Sequence, residues 1–324
     1  RSTAGLDCLG MARKLRVEYK GAIYHLMNRG DRREPIILDE EDAELFIKTL
    51  GEACAKTHWL VHAFCLMPNH FHLVVETPDA NLVSGMKWFL GTYTSRFNRK
   101  NRLFGHLFSG RYKSLIVDGS GNQYLRTVCA YVHLNPARAK LIADKSRLKC
   151  YPWSSFPLLI QPPSKRPTWL RHERVFGDLG IQRDTTRTRR QFEQRMEVAR
   201  GDAEPEGYRA IRRGWCLGNR DFRKELLDEM AEKATVHHYG KEKRLSLEAQ
   251  AEKIVRTALD RLGWSEEDLE RRRKGDPDKA TIARQLKSET TMTAAWIARQ
   301  LRMGSESNVR RLVAMNEQNA KSRD

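Results

Sequence analysis

Residues 59–77 hold two β-favouring runs with only Pro68 and Asn69 between them. Pro-Asn is a turn signal, so Trp59 to Met67 and His70 to Thr77 are expected as a hairpin or closely linked strand pair. Upstream, Arg16 to Asn28 carries Val17, Tyr19, Ile23 and Tyr24 and reads as a strand or two. Asp39 to Thr57 reads as a helix, with acids in its first turn and Leu45, Phe46, Leu50 and Ala53 at helical spacing. Downstream, Asn81 to Arg99 is helical, with Leu82, Met86, Phe89, Leu90, Tyr93 and Phe97 on one stripe. Leu107 to Asp118 reads as a strand pair around Ser109-Gly110. Gly121 to Leu134 reads as a helix stopped by Pro136, because the residue before a proline avoids the α region.

The resulting order, β-α-β-β-α-β-α, lacks the strict βα alternation of a parallel sheet. It predicts an α+β fold with a mostly antiparallel sheet, of the ferredoxin-like kind. Pro157, Pro162, Pro163 and Pro167 mark a boundary. The expected organisation is a first domain over 13–160, a helical linker region over 161–244 to which no chemistry can be assigned, and a helical domain over 245–316. No run of about 18 apolar residues exists, which excludes a membrane-spanning helix. The first ten residues lack the apolar stretch of a signal peptide, and Met11, ahead of a basic run, is expected as the natural start. Six scattered cysteines without a Cys-x-x-Cys pair argue against a zinc ribbon or disulfide scaffold, and for a reducing cytosol.

Charge narrows the partner. The chain of 324 residues has a formal net charge of +18. That excess points to a polyanion, most often nucleic acid. Between residues 80 and 149, thirteen Lys and Arg stand against only Asp118 and Asp144. Trp88, Phe89, Tyr93, Phe97, Phe104, Phe108, Tyr112 and Tyr124 are interleaved with them. Cations spaced among aromatics suit a groove that tracks a phosphate backbone and stacks unpaired bases, although some of these rings must belong to the core.

Within the hairpin, His70 and His72 lie two residues apart and so point to the same strand face, with Val74 and Glu76. The opposite face, Phe71, Leu73 and Val75, is expected to be buried. Two adjacent imidazoles make half a metal site, though such a pair taken alone is more often ordinary polar structure. Tyr131 and Asn135 lie four residues apart on one helix face. A tyrosine hydroxyl beside a divalent cation can attack phosphorus, and Asn135 can add an oxygen ligand. Without the histidine pair, Tyr131 would read as a half-buried structural tyrosine.

Three runs together carry a family resemblance. Met67-Pro68-Asn69-His70-Phe71-His72-Leu73-Val74 resembles the His-hydrophobic-His signature of single-tyrosine HUH transposases. Tyr131-Val132-His133-Leu134-Asn135-Pro136-Ala137-Arg138-Ala139 resembles their nucleophile helix, and Leu107 to Lys113 the stretch before it. Tyr151 to Phe156 looks like the end of the domain, and the nearest branch is the REP-associated tyrosine transposases. The resemblance spans residues 13–160. It implies a ferredoxin-like HUH domain in which His70, His72 and Asn135 bind Mg²⁺ or Mn²⁺. Tyr131 would attack single-stranded DNA at hairpin ends, leaving a 5′-phosphotyrosine and a free 3′-hydroxyl. Arg111, Lys113, Arg126 and Arg138 would contact the DNA. It further implies a cytoplasmic, nucleoid-associated bacterial protein. Imidazole also suits Zn²⁺. Tyr124, one heptad earlier, is the rival nucleophile but does not match the family motif.

Near the C-terminus, Lys279 to Glu289, Ala294 to Leu301 and a last helix after Ser305 are expected, with Thr293 and Ser305 as N-caps and a turn at Met303-Gly304. Helix, glycine turn and basic helix make a helix-turn-helix pattern, with Asn308, Arg310 and Arg311 facing duplex DNA. The leading expectation is a DNA nicking and strand-transfer enzyme, a transposase or a domesticated one. The alternative is a DNA-binding regulator whose catalytic domain is retired. An RNA-binding module ranks last, because the strands lack the aromatic signature such sheets carry.

Overall fold

The computed structural model describes residues 17–121, 123–177, 179–201, 207–235 and 239–321. Met11 and the first residues of the expected opening strand lie outside the described residues. Strand β1 (Ala22–Arg29) is followed by helix α1 (Glu40–Thr57), strands β2 (Leu60–Met67) and β3 (His70–Thr77), helix α2 (Leu82–Asn101), strand β4 (Lys113–Val117) and helix α3 (Tyr124–Arg138). The strands lie in the order β2-β3-β1-β4 and then β5 (Cys216–Leu217). Neighbours among the first four are antiparallel to one another, the ferredoxin-like arrangement the sequence predicts.

Side-chain alternation sets the layers. Phe71 points from β3 toward α1 and α2, where it meets Phe46 and Phe89 at ring separations of 5.2 and 6.1 Å. Asp39 caps α1 by accepting from the Asp42 amide, and Glu40, Glu41 and Asp42 complement the helix dipole. The predicted α2 stripe is buried at Leu82, Met86, Phe89, Tyr93 and Phe97. Gly85 lets α2 close onto Trp59, because a Cβ there would stand 2.2 Å from the indole. The Trp59 indole N–H then donates to Asn81 beside the start of α2.

His72 points the other way, toward α3. This face is covered too: Val74 is fully buried and His72 is 3% exposed. A sheet covered by helices on both sides buries both of its side-chain sets.

Two local expectations also change. Leu107 to Asp118 forms one strand, not two. Phe108 makes only an isolated bridge to Gly30, and Gly110 turns the chain at φ 61°. The Leu107 carbonyl and the Ser109 amide bond the end of β1 and the residues after it instead of a partner strand. Helix α3 does not stop before Pro136 but runs through it to Arg138. The proline sits in the last turn, so its missing N–H removes a single bond. Bonding resumes with the Ala139 amide on the Asn135 carbonyl at 2.9 Å.

Helices α4 (Ser155–Leu159), α5 (Glu173–Gly177), α6 (Thr186–Gly201) and α7 (Gly207–Arg213) come next, then β5. Phe156, Val175, Phe176, Phe192, Met196, Tyr208, Ile211, Cys216 and Leu217 share one hydrophobic core with the sheet. Strand β5 pairs in parallel with β4 at Ile116–Cys216 and Val117–Leu217. Helices α8 (Arg220–Thr235), α9 (Tyr239–Leu262), α10 (Glu266–Arg271), α11 (Pro277–Glu289), α12 (Ala294–Gln300) and α13 (Glu306–Lys321) complete the chain. Ala251 to Val313 build a second core around Ile282, Leu286, Ile297, Leu301, Met303 and Val309. Among the described residues, no helix is long and apolar enough to cross a membrane.

Candidate active site

Six elements line a cavity of about 500 Å³, β2 contributing only Met67. β3 supplies His70 and His72, β1 supplies His25 and Arg29, β4 supplies Lys113, α3 supplies Tyr131, Asn135 and Arg138, and α7 supplies Arg212. Because α3 continues past Pro136, Tyr131, Asn135 and Arg138 stay in one helical register at i, i+4 and i+7. The charged groups lining the cavity, Arg29, Lys113, Arg138 and Arg212, are all cations. Such a lining favours a phosphate.

The hydrogen-bond network settles which imidazole nitrogen is available. Asn69 donates its amide to the Arg33 carbonyl at 3.1 Å, which orients its oxygen toward His70. That oxygen only accepts, so His70 Nδ1, 2.8 Å away, carries the proton and Nε2 keeps its lone pair. His72 Nδ1 lies 2.9 Å from His25 Nε2, with the two rings stacked 6° from parallel. The His70 and His72 ring centres are 5.1 Å apart. Burial, aided by Arg29, lowers the His70 pKa to about 4, and burial lowers that of His25 to about 4. Burial and the neighbouring His25, His70 and Arg29 hold His72 well below the ordinary imidazole value. All three rings are therefore neutral at pH 7, the form that ligates a cation.

Tyr131 is 8% exposed, with its ring 5.7 Å from that of His72 and 5.8 Å from that of His25. Burial pushes its phenol above the ordinary value, while the Arg212 and Arg138 guanidinium groups pull it back. The Asn135 side-chain amide has a buried Nδ2 without a partner. An amide flip exchanges this atom for the oxygen. Among the described residues, no group of three His, Cys, Asp or Glu side chains is arranged to hold a metal. Two neutral imidazoles and one unsatisfied amide on a single cavity are nonetheless a donor set that fits a divalent cation with open positions.

Other expected site residues lie elsewhere. Arg111 is exposed outside the cavity lining. Arg126 is half-buried and donates to Gln123 one turn back. Tyr124 packs against the core, away from the lining. His133 is buried, paired with Ser155 Oγ at 2.8 Å, and stands among Phe156 and Phe192. In the C-terminal module, Thr293 caps α12 as expected and Ser305 Oγ accepts from the Asn308 amide at 3.2 Å. Arg310 and Arg311 are exposed, whereas the Asn308 side chain donates to the Met303 and Lys274 carbonyls and braces the turn.

The sequence reading missed His25, Arg29 and Arg212. His25 and Arg29 stand on one face of β1, four residues apart, and only the β1–β3 register brings them beside the His70/His72 pair. A histidine in an otherwise apolar strand was the available signal. Arg212 carried none.

The mostly antiparallel sheet places its His-x-His strand opposite the tyrosine helix, as the sequence resemblance implied. Residues 18–135 match the family model described as "Transposase IS200 like". A solved structure described as a REP-associated tyrosine transposase bound to a REP hairpin is similar over 46% of this chain and 86% of its own. Its identity is 14% and the TM-score 0.39. No curated protein matches the chain.

Proposed function

We propose that the protein nicks single-stranded DNA at Tyr131 and transfers the strand through a 5′-phosphotyrosine link. One observation carries this reading: the Tyr131 hydroxyl shares a cavity with two neutral imidazoles and four cations. The cationic lining binds and orients a scissile phosphate. The Tyr131 oxygen attacks phosphorus, the Tyr–O–P bond forms, and the bond from phosphorus to the 3′-oxygen breaks. The 3′-oxygen leaves as a hydroxyl, and the phenol gives up its proton as it attacks. The link conserves one phosphodiester, so rejoining to another 3′-hydroxyl needs no nucleotide cofactor.

A divalent cation, Mg²⁺ or Mn²⁺, would be held by His70, His72 and Asn135 and would supply Lewis-acid polarisation of the phosphate. His25 holds the His72 ring through its Nδ1, and Asn69 does the same for His70; partners of this kind orient ligating imidazoles. The C-terminal helices, with exposed Arg310 and Arg311, serve as a duplex-binding module in the same reading. The test is incubation of the full chain with labelled stem-loop single-stranded DNA and Mg²⁺ or Mn²⁺. An adduct that survives SDS is expected. DNA binding without any adduct would instead select the retired regulator.

A further inference from the structure

The matched family segment ends at residue 135, yet the cavity is not complete there. Helix α7 packs against α3 from outside that segment. Its Tyr208 is 3% exposed, and its ring meets that of Tyr131 edge-on at 5.2 Å. The Arg138 guanidinium lies 4.3 Å from the centre of the Tyr208 ring and 5.8 Å from that of Tyr131. One turn along α7, Arg212 lines the cavity beside Tyr131, and its guanidinium pulls the phenol's pKa down.

The residues from Gly214 to Leu217 fix this short helix in place. The Gly214 amide bonds the Ala210 carbonyl at 2.7 Å, and a Cβ at Gly214 would stand 2.5 Å from that oxygen. The chain then enters the sheet. The Ile116 amide donates to the Trp215 carbonyl at 3.0 Å and the Asp118 amide to the Leu217 carbonyl at 2.8 Å. A two-residue strand is too short to stabilise a sheet by itself. Here it anchors α7 to β4, the strand that also delivers Lys113.

We propose that α7 and β5 complete the active site in cis, with Arg212 and Tyr208 as positioning residues for the Tyr131 nucleophile. This inference rests on the reading of Tyr131 as the nucleophile. Arg212 holds the hydroxyl, and Tyr208, clamped by Arg138, holds the ring. An edge-on ring contact and a guanidinium beside the para oxygen together fix both rotatable bonds of a tyrosine. The cleavage-competent unit therefore extends to at least Leu217, well past the family segment.

The test uses the full chain with Arg212→Ala and Arg212→Lys, both at a solvent-accessible position. Single-turnover cleavage of saturating stem-loop DNA is measured beside DNA affinity. At saturating DNA, Arg212→Ala should cut the single-turnover rate by about tenfold or more beyond any loss of affinity, since misplacing a nucleophile costs rate even when the substrate is fully bound. Free methylguanidinium should restore part of the lost rate, and Arg212→Lys should remain slow because an ammonium lacks the planar fork. A second measurement needs no cleavage. In DNA-free protein labelled with 3-fluorotyrosine, the Tyr131 fluorine resonance, identified by its loss in Tyr131→Phe, should shift and broaden in Arg212→Ala. An adduct-forming wild type with an unchanged rate and resonance in Arg212→Ala would overturn the proposal. A wild type that forms no adduct would overturn the nuclease reading instead, and the fluorine resonance would still decide the Arg212–Tyr131 contact.

Discussion

His72 has one nitrogen committed to His25 and one edge turned toward the cavity, and both facts stem from strand register. Met27 lies opposite His72 across β1 and β3, which places His25 diagonally beside it. His72→Ala should abolish cation-dependent cleavage, as should EDTA on the wild type. The fold should survive, because Phe71, Leu73 and Val75 keep the opposite face, but stability should fall by about 1–3 kcal/mol as buried His25 loses its partner. Thermal unfolding and cleavage assays check both halves; metal-free activity of His72→Ala would remove it from the site. His25→Ala should weaken Mn²⁺ affinity by roughly tenfold or more, read by direct titration, as loss of an orienting partner does at metal sites. The HUH pair and the Tyr131/Asn135 pair were legible in the sequence because periods of two and of nearly four residues report a shared face. His25 and Arg212 were not, because their contacts depend on which strands and helices become neighbours.

At the scale of elements, α3 shows where a local rule yields. Pro136 reads as a stop, yet one missing bond in a final turn costs less than exposing the buried face formed by Val128, Val132 and Leu134. The same extension brings Arg138 into the cavity. The elements beyond it are held by ions as well as by apolar packing. Asp184 pairs with Arg166 and with Arg189, each at 2.7 Å, and Arg166 in turn caps the Leu158, Leu159 and Gln161 carbonyls. Burial pushes the Asp184 carboxyl up, but its bonds to Arg166 and Arg189 outweigh this and hold it below the ordinary 3.8. A depressed carboxyl contributes stability above its unfolded pKa and loses it as pH falls through the folded value. Asp184→Asn should therefore cost about 3 kcal/mol at pH 7, since it leaves Arg166 buried without its counter-ion. The deficit should hold down to about pH 4 and shrink below it, in denaturant titrations at each pH. A deficit that grows on acidification would contradict the assignment. No periodicity announced this network, because its members are separated by loops.

Among the described residues there are two cores: one joins the sheet to buried side chains as far as Leu226, the other is built from residues between Ala251 and Val313. The proline cluster at 157–167 suggested a break, but prolines there lie on a surface path that leads back into the first core. Charge, by contrast, was readable at this scale, since the cavity gathers Arg29, Lys113, Arg138 and Arg212 without a carboxylate. In the second core, Arg310→Ala with Arg311→Ala should weaken duplex binding and flatten its salt dependence by about two in log-log slope, as lost phosphate contacts require. Filter binding across a salt series reads this, and an unchanged slope would separate these arginines from DNA. The claim on which the rest depends is that Tyr131 becomes covalently attached to DNA. Mass spectrometry of the trapped adduct, made with the wild type, Tyr131→Phe and Tyr124→Phe, addresses it directly. The oligonucleotide should be found on Tyr131, vanish in Tyr131→Phe and persist in Tyr124→Phe. An adduct that survives Tyr131→Phe, or that disappears only in Tyr124→Phe, would contradict it.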